Sequence, residues 1–303
     1  MSAADVEVVL DARAELGEGP RWDPGEQRLL WVDIMAGRVH AFRPDKGACR
    51  NVGVGKPVGA LAGARDGSLV LAVADGFARL DFKSGATTML AAVEADRPQN
   101  RMNDGACDPA GRFWAGTMAL DESPGQGALY RLDPDLTVHT MVTGVTISNG
   151  IDWSPDGLTM YLADSGPGVV HAFDFDERGT IANERVFLAL PEESGTPDGL
   201  TVDASGDVWV AIWGGGRVAR YGADGTLREE LPVPAVETTS CAFAGPGLHW
   251  LYVTTATEHW TDEQRRAAPG AGLLYRFETA ATGRPAARFR PEPGWWARVR
   301  AER

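Results

Sequence analysis

Oxygen-bearing side chains recur at one phase of the sequence. Glu18, Asn103, Asn149 and Asp198 each stand at the start of a similar short stretch. Two carboxylates and two carboxamides that converge are costly to bury unless a cation or ordered water satisfies them. Oxygen-only ligands carrying two negative charges suit a hard divalent ion such as Ca²⁺, Mg²⁺ or Mn²⁺. Taken singly, E-G, N-G and D-G are ordinary turn dipeptides, so it is their shared phase that indicates a metal site.

Other chemistries lack their motifs. The five histidines show neither HxxxH nor HExxH spacing, no GxSxG segment occurs, and GVGKPVG is not a GxGxxG loop. Without His or Cys ligands, Zn²⁺ is a less natural metal for this site. Cys49, Cys107 and Cys241 have no CxxC spacing, which argues against a disulfide framework or a zinc knuckle and favours buried thiols.

Charge and composition narrow the partners. The formal net charge is 29 − 42 = −13, with no basic stripe, so nucleic acid and anionic membrane surfaces are disfavoured. No apolar run approaches the roughly 18–20 residues of a membrane span. The first residues, MSAADVEVVLDARAE, carry acids and no apolar core, unlike a signal peptide. We therefore expect a cytoplasmic protein, either a monomer or a weak homo-oligomer, with a small-molecule partner.

The elements that position these residues form a repeat. A short polar start, an apolar pair, a D-x-x-G turn and a β-prone run recur, with starts near residues 18, 59, 103, 149, 198 and 240, so the intervals are 41, 44, 46, 49 and 42. This is the period of a four-stranded propeller blade. A solenoid has shorter repeats, and a sandwich does not repeat. The prediction is an all-β fold, a six-bladed β-propeller with four antiparallel strands per blade, forming one domain over residues 1–303.

The innermost strands of such a ring line a central channel. The repeat starts then face one common point and hold Glu18, Gly59, Asn103, Asn149, Asp198 and Ser240. The segment VEVVLDARAE precedes the first repeat, where every other copy has its fourth strand. We expect it to be the outermost strand of the sixth blade, although the downstream run AARFRPEPGWW competes for that place.

Five motifs carry a resemblance to a known family. LGEGPRWD, NRMNDGACDPAGRFWAGTM, ISNGIDWSPDG, PDGLTVDASGDVWVA and TTSCAFAG occur in this order between about Leu16 and Phe277. They resemble the gluconolactonase, regucalcin and senescence-marker-protein (SMP-30) family. The resemblance implies a six-bladed propeller, one divalent metal in the channel and lactone hydrolysis. The expected metal is Ca²⁺, with Zn²⁺, Mn²⁺ and Mg²⁺ as alternatives.

The resemblance also assigns roles to residues. Glu18 in LGEG, Asn149 in SNG and Asp198 in PDG match the family's metal ligands. Water must lose a proton as it attacks a lactone carbonyl that the metal polarises. Asp198 is the candidate catalytic base because one carboxylate oxygen can bind metal while the other faces water. Metal ligation lowers a carboxylate's basicity, so a metal-bound hydroxide stays open as the nucleophile.

Substrate-binding residues follow from the same comparison. Arg101 matches the arginine that binds sugar hydroxyls or a ring oxygen, and Asn103 matches a residue beside the metal that contacts substrate. In GTMALDESPG, Asp121 is the counterpart of a substrate-binding acid, with Glu122 as the fallback. An Asp in place of a longer Glu leaves the sugar preference open. Asp104 is expected to support the site from behind or to belong to a turn, and the stretch Glu258–Trp260 is expected either at the channel rim or in a surface loop.

The leading hypothesis is metal-dependent hydrolysis of an aldonolactone, such as gluconolactone, xylonolactone or arabinolactone, to the aldonic acid. The alternative enzyme is a metal-dependent phosphotriesterase, or organophosphate hydrolase, on the same scaffold. Hydroxyl-binding residues such as Arg101 and Asp121 favour the sugar substrate, whereas a purely apolar mouth favours the alternative. The non-enzymatic alternative is a calcium-binding propeller.

Overall fold

A computed structural model describes residues 6–295 and confirms the predicted fold class. The described chain forms six antiparallel four-stranded sheets, which are the blades of a six-bladed β-propeller. Strand β1 (Val6–Leu10) comes first in the chain. Blades one to three consist of β2 (Gly17–Asp23), β3 (Arg28–Asp33), β4 (Arg38–Arg43) and β5 (Ala48–Gly53); β6 (Val58–Gly63), β7 (Leu69–Val73), β8 (Gly76–Leu80) and β9 (Thr87–Ala92); and β10 (Asn100–Cys107), β11 (Phe113–Ala119), β12 (Gly127–Leu132) and β13 (Val138–Val145).

The remaining blades follow the same order. They consist of β14 (Ser148–Trp153), β15 (Thr159–Asp164), β16 (Val169–Phe175) and β17 (Ile181–Ala189); β18 (Thr196–Val202), β19 (Val208–Trp213), β20 (Arg217–Tyr221) and β21 (Leu227–Pro232); and β22 (Thr238–Ala244), β23 (Trp250–Thr255) and β24 (Leu274–Glu278). A 3₁₀ turn spans Glu192–Ser194, and helix α1 spans Asp262–Ala267 in the β23–β24 connection. Within residues 6–295, no helix combines the length and the apolar character that crossing a membrane requires.

The sixth blade joins two distant parts of the chain. Its strand order is β1-β24-β23-β22, so β1 supplies the outermost strand. Val6 lies opposite Phe277, and Glu7 forms an ion pair with Arg276 at 2.7 Å. The competing downstream run does not join a blade over its described part. Residues 281–290 contain no strand and cross the base of the ring.

Burial falls from the axis outwards. Every residue of β10 and β22 is buried, whereas the outermost strand β17 is mostly exposed or half-buried. The D-x-x-G turns also anchor the core, because Asp108 and Asp203 accept hydrogen bonds from the indoles of Trp114 and Trp209, each at 2.9 Å. All three cysteines are free, and two of them are buried. The core therefore consists of aromatic and aliphatic layers between neighbouring blades.

Candidate functional site

All six innermost strands lose their regular register at the same place. The ladders shift between the following pairs: Glu18/Arg21, Val58/Ala60, Met102/Gly105, Ser148/Ile151, Pro197/Leu200 and Thr238/Ser240. These are the positions that the repeat phase singled out. A bulge bends its strand and redirects side chains out of the regular alternation. The six irregularities therefore ring one end of the channel and free its side chains from the ladder pattern.

Two carboxylates are buried within this ring. Glu18 is 3% exposed and Asp198 is 4% exposed. Burial, and after it the charge of Asp104, raises the pKa of Glu18 to about 8. Burial, followed by the charge of Glu18, raises the pKa of Asp198 well above its usual value. These three acids thus lie close enough to disfavour one another's ionisation.

Hydrogen bonds orient the side chains of the site and leave some of their oxygen atoms available to bind a cation. Asn149 Nδ2 donates to Ser165 Oγ at 3.0 Å, and Ser165 Oγ donates to the carbonyl of Pro197 at 2.7 Å. The amide nitrogen of Asn149 is therefore engaged, and its carbonyl oxygen is the group that can bind a ligand. Asp198 Oδ1 is buried and has no hydrogen-bond partner. A buried acceptor without a partner is destabilising by about 1–3 kcal/mol.

This donor set fits a hard divalent cation. A cation beside Asp198 Oδ1 would satisfy the orphaned oxygen and neutralise the carboxylates that burial disfavours. Across residues 6–295, no three or more His, Cys, Asp or Glu side chains form a metal-binding group. The candidate set is instead mixed, with Glu18, Asp198 and the amide oxygen of Asn149, as Ca²⁺ coordination allows.

A buried arginine lies beside these oxygens. Arg101 is 5% exposed, and its Nη1 donates to Asn103 Oδ1 at 2.6 Å and to the carbonyl of Met102 at 3.2 Å. Asn103 Nδ2 donates to the carbonyl of Ser148 at 3.0 Å. The side-chain oxygen of Asn103 accepts a hydrogen bond from Arg101 and so orients the guanidinium. The side-chain nitrogen of Asn103 links blade three to blade four.

The acids that act on Arg101 come from several blades. Burial lowers the pKa of Arg101, and the opposing charges are, in order, Glu258, Glu18, Glu122 and Asp198. Glu258 lies in the β23–β24 connection, and its side chain is 15% exposed. Burial raises the pKa of Glu258, and Arg101 is the strongest opposing influence. The sequence placed Glu258 only at the rim, because this connection has no counterpart in the other repeats.

The two neighbouring acids of blade three behave differently. Asp121 is exposed, and its Oδ1 accepts a hydrogen bond from the backbone N–H of Ser123 at 3.1 Å. Its carboxylate therefore caps its own turn. Glu122 adopts a φ of 57° and is one of the charges that act on Arg101. Both side chains are exposed, and only Glu122 is among the charges that act on Arg101, which favours Glu122 over Asp121 as the acid at the site.

The second blade contributes no side chain to the ring, because its residue at this position is Gly59 and the backbone of Asn103 packs directly against it. A Cβ added at Gly59 would lie 2.2 Å from the carbonyl oxygen of Asn103, far inside van der Waals contact. Asp104 is buried, 2% exposed, and its charge acts on both Glu18 and Asp198. Its Oδ1 accepts from the N–H of Gly105 at 2.6 Å and lies 4.0 Å from Arg21.

Comparisons with known proteins show the family of this chain. A family model described as the SMP-30/Gluconolactonase/LRE-like region matches residues 16–257. A pentonolactonase of Haloferax volcanii is 40% identical over 91% of this chain and 95% of its own length. Regucalcin of Xenopus laevis is 38% identical over the same shares of the two chains. A crystal structure of a calcium-binding protein, regucalcin, from Agrobacterium tumefaciens superposes with a TM-score of 0.91 at 32% identity, covering 95% of this chain and 98% of the other.

Proposed function

Because this chain belongs to the SMP-30/gluconolactonase/LRE-like family, we propose that it is a divalent-metal-dependent lactonase that opens a sugar lactone to the aldonic acid. Its similarity to a pentonolactonase over nearly the whole chain supports this reaction class. The observation that carries the proposal is the buried, unpartnered Oδ1 of Asp198 beside Glu18 and Arg101. A neutral, hydroxyl-rich ester ring suits a site that combines oxygen donors with a buried arginine.

Glu18, Asn149 and Asp198 are the residues that would hold the metal. Ca²⁺ is the proposed ion, supported by the mixed carboxylate and amide donors and by the calcium-binding regucalcin that the chain resembles. When bound, the ion supplies Lewis-acid polarisation of the lactone carbonyl and stabilises the developing oxyanion. Asn149 reaches its position through Ser165, so this serine is a positioning residue.

Arg101 and its surrounding acids bind the sugar. The guanidinium of Arg101 donates to the ring oxygen or hydroxyls of the lactone, and Asn103 holds it in place through the 2.6 Å hydrogen bond. Glu122 and Glu258 accept hydrogen bonds from hydroxyl groups, because both already act on Arg101 across the channel mouth. Burial of Arg101 excludes water from these contacts and strengthens them.

Asp198 is the proposed base. Oδ1 is the oxygen that would face the metal, and the other carboxylate oxygen, Oδ2, accepts one proton from the attacking water while the water oxygen bonds to the carbonyl carbon. The carbonyl π electrons move to the oxygen and then return as the ring C–O bond breaks. The ring oxygen leaves as a hydroxyl group and takes up the proton, so Asp198 ends in its starting state. The products balance as one aldonic acid for each lactone and water consumed.

The test is a pH-indicator assay over several aldonolactones with chelated protein, to which individual metals are added back. We expect activity to disappear on chelation and to return with Ca²⁺ or another divalent ion. Asp198→Asn should lower kcat by at least about 100-fold, whereas Asp45→Asn, at an exposed site, should leave kcat unchanged. Activity that survives thorough chelation would contradict the metal dependence.

Metal binding has its own readout. A ligand at 100 times its Kd adds about 2.7 kcal/mol to the free energy of unfolding, so Ca²⁺ should raise the melting temperature of the chelated protein. Glu18→Gln should weaken this effect, and Glu177→Gln at an exposed site should not. Stabilisation by Ca²⁺ without turnover of any lactone would indicate a calcium-binding protein and overturn the lactonase proposal.

A further inference from the structure

A cavity lies at the end of the channel opposite the candidate metal site. It has a volume of about 460 Å³ and is lined by the last residues of all six innermost strands. Asp198 and Val202 stand near the two ends of β18. They are four positions apart along the strand, which is about 13 Å at 3.3 Å per residue. The cavity is therefore distinct from the candidate metal site and within the size range of small-molecule pockets, about 300–1,000 Å³.

One side of the cavity is bordered by an extended segment, residues 280–292, which we term the basal strap. Its backbone is fixed at both ends, since the N–H of Ala204 donates to the carbonyl of Thr282 at 2.8 Å, and the N–H of Phe289 donates to the carbonyl of Gly63 at 2.9 Å. The N–H of Arg290 donates to the carbonyl of Gly111 at 2.9 Å. The strap thus runs across the base from blade five to blades two and three.

Positive charge is concentrated around this cavity. Its lining contains five arginines and two aspartates, namely Arg21, Arg65, Arg284, Arg288, Arg290, Asp23 and Asp152. The formal balance of the lining is 5 − 2 = +3, in a chain whose net charge is −13. Three of these arginines, Arg65, Arg288 and Arg290, are exposed, so solvent screens part of the repulsion between them. An anion in the cavity would neutralise the arginines that have no carboxylate partner.

Two of the strap arginines have a structural use. Arg284 pairs with Asp152 at 3.2 Å and donates to the carbonyls of Trp153 and Val202, so it ties blades four and five. Arg288 pairs with Asp23 at 3.2 Å. Both aspartates have further donors, because Asp23 also pairs with Arg28 at 3.0 Å. The acids of the lining are therefore already engaged.

Arg65 and Arg290 are not explained in this way. Among residues 6–295, neither guanidinium has a carboxylate oxygen within 4.0 Å. Arg65, in the loop after β6, and Arg290, in the strap, lie on neighbouring segments, because each follows one residue of the Ala64–Phe289 pair. Both line the cavity and both are exposed. Arginine forks match carboxylate and phosphate oxygens in paired hydrogen bonds. Apolar side chains, including Trp22, Trp153 and Phe243, complete the walls.

We propose that the basal cavity binds a small organic dianion, with Arg65 and Arg290 as its principal ligands. The arginine surplus selects a ligand with two negative charges, and the aromatic walls select the short carbon frame that carries them. A dicarboxylate and a sugar-type phosphate monoester share this chemistry. The site is independent of lactone hydrolysis, since it lies at the other end of the channel.

The experiment is isothermal titration calorimetry of the intact protein with succinate and, separately, with glycerol 3-phosphate. Glycerol and sodium chloride of equal ionic strength are the controls for the carbon frame and for screening. We expect one site per chain that saturates below about 1 mM for at least one of the two anions. Comparison of the two dissociation constants identifies the carboxylate or the phosphate as the preferred group.

The matched variants decide whether the cavity is responsible. Arg65→Ala/Arg290→Ala should raise the dissociation constant by at least about tenfold, whereas Arg97→Ala/Arg178→Ala, at exposed positions elsewhere, should leave it unchanged at the same net charge. Circular dichroism and the melting temperature check that both double variants fold. Failure of both anions to bind at about 10 mM, or equal binding by the two double variants, would overturn the proposal.

Discussion

At the scale of single residues, the site depends on which acid faces Arg101. The family resemblance selects Asp121 by position, but the carboxylate of Asp121 is engaged by the N–H of Ser123. Sequence could place Glu18, Asn149 and Asp198 because they share a repeat phase. It could not show which of Asp121 and Glu122 acts on Arg101, since both are exposed and only the folded structure brings the charge of Glu122 to bear on Arg101.

Substrate affinity should therefore respond to Glu122. Glu122→Gln removes one charged acceptor for a sugar hydroxyl, so KM should rise roughly tenfold, about 1.4 kcal/mol. The value of kcat should stay nearly constant, because this contact exists before and during the reaction. Asp121→Asn is the matched control and should leave KM within about twofold of the wild type. A larger KM effect from Asp121→Asn would reverse the assignment.

His40 makes stability depend on pH. It stacks on Trp31 with ring centroids 3.9 Å apart. Burial lowers the pKa of His40 from 6.5 to about 4, with Asp33 opposing and Arg38 reinforcing this shift. The folded protein keeps His40 neutral while the unfolded chain takes up a proton. Protonation of His40 in the unfolded chain therefore destabilises the fold only below pH 6.5, and the free energy of unfolding falls as the pH drops from 6.5 towards 4.

Urea unfolding at pH 7 and pH 5 measures this effect. His40 should account for about 2 kcal/mol of the stability lost between these values. His40→Phe should lose correspondingly less on acidification, because phenylalanine does not titrate. The same substitution at His259, whose side chain is exposed, should leave the pH dependence unchanged. Equal pH dependence in wild type and His40→Phe would refute the account.

At the scale of elements, the strands were predictable and the bulges were not. The alternation of apolar and polar residues indicates which face of a strand is buried, and the repeat interval indicates the length of chain in a blade. Both are properties of a single blade. A bulge reflects how one strand is paired with its neighbour, and composition alone does not encode that register. The dipeptides Glu18-Gly19, Asn149-Gly150 and Asp198-Gly199 mark these positions in the sequence, but such dipeptides are equally typical of ordinary turns.

Gly59 tests the close approach of two blades. Gly59→Ala would place a Cβ 2.2 Å from the carbonyl oxygen of Asn103. We expect a loss of about 1–3 kcal/mol in the free energy of unfolding and lower activity, because Asn103 orients Arg101. Gly53→Ala is the matched control, since an added Cβ there meets nothing within 4 Å. Thermal unfolding and KM measurements on the two variants should differ clearly; equal values would exclude the steric constraint.

At the scale of the whole molecule, the basal strap should stabilise the ring. Phe289 is 0% exposed and packs edge-on against Trp295, with centroids 6.1 Å apart. Phe289→Ala should lower the free energy of unfolding by about 3–5 kcal/mol. Phe187→Ala, at a partly buried position on the outer strand of blade four, should lower it less.

Hydrogen exchange locates the change. The amides of Phe289 and Arg290, which donate to Gly63 and Gly111, should exchange faster in Phe289→Ala than in the wild type. Protection that remains unchanged at these two amides would show that the strap is not held by Phe289. The strap was not predictable from the repeat, because it belongs to no blade and its contacts join distant parts of the chain.

The pairing of β1 with β24 has a consequence for synthesis on the ribosome. Strand β1 ends at Leu10, and its partner begins at Leu274, so roughly 260 residues must be translated between them. At about 5–20 residues per second, β1 waits roughly 13–50 s for its partner. During that interval each finished blade exposes strand faces that only later neighbours cover. A nascent chain of this protein is therefore most vulnerable to misassociation just before its last blade emerges.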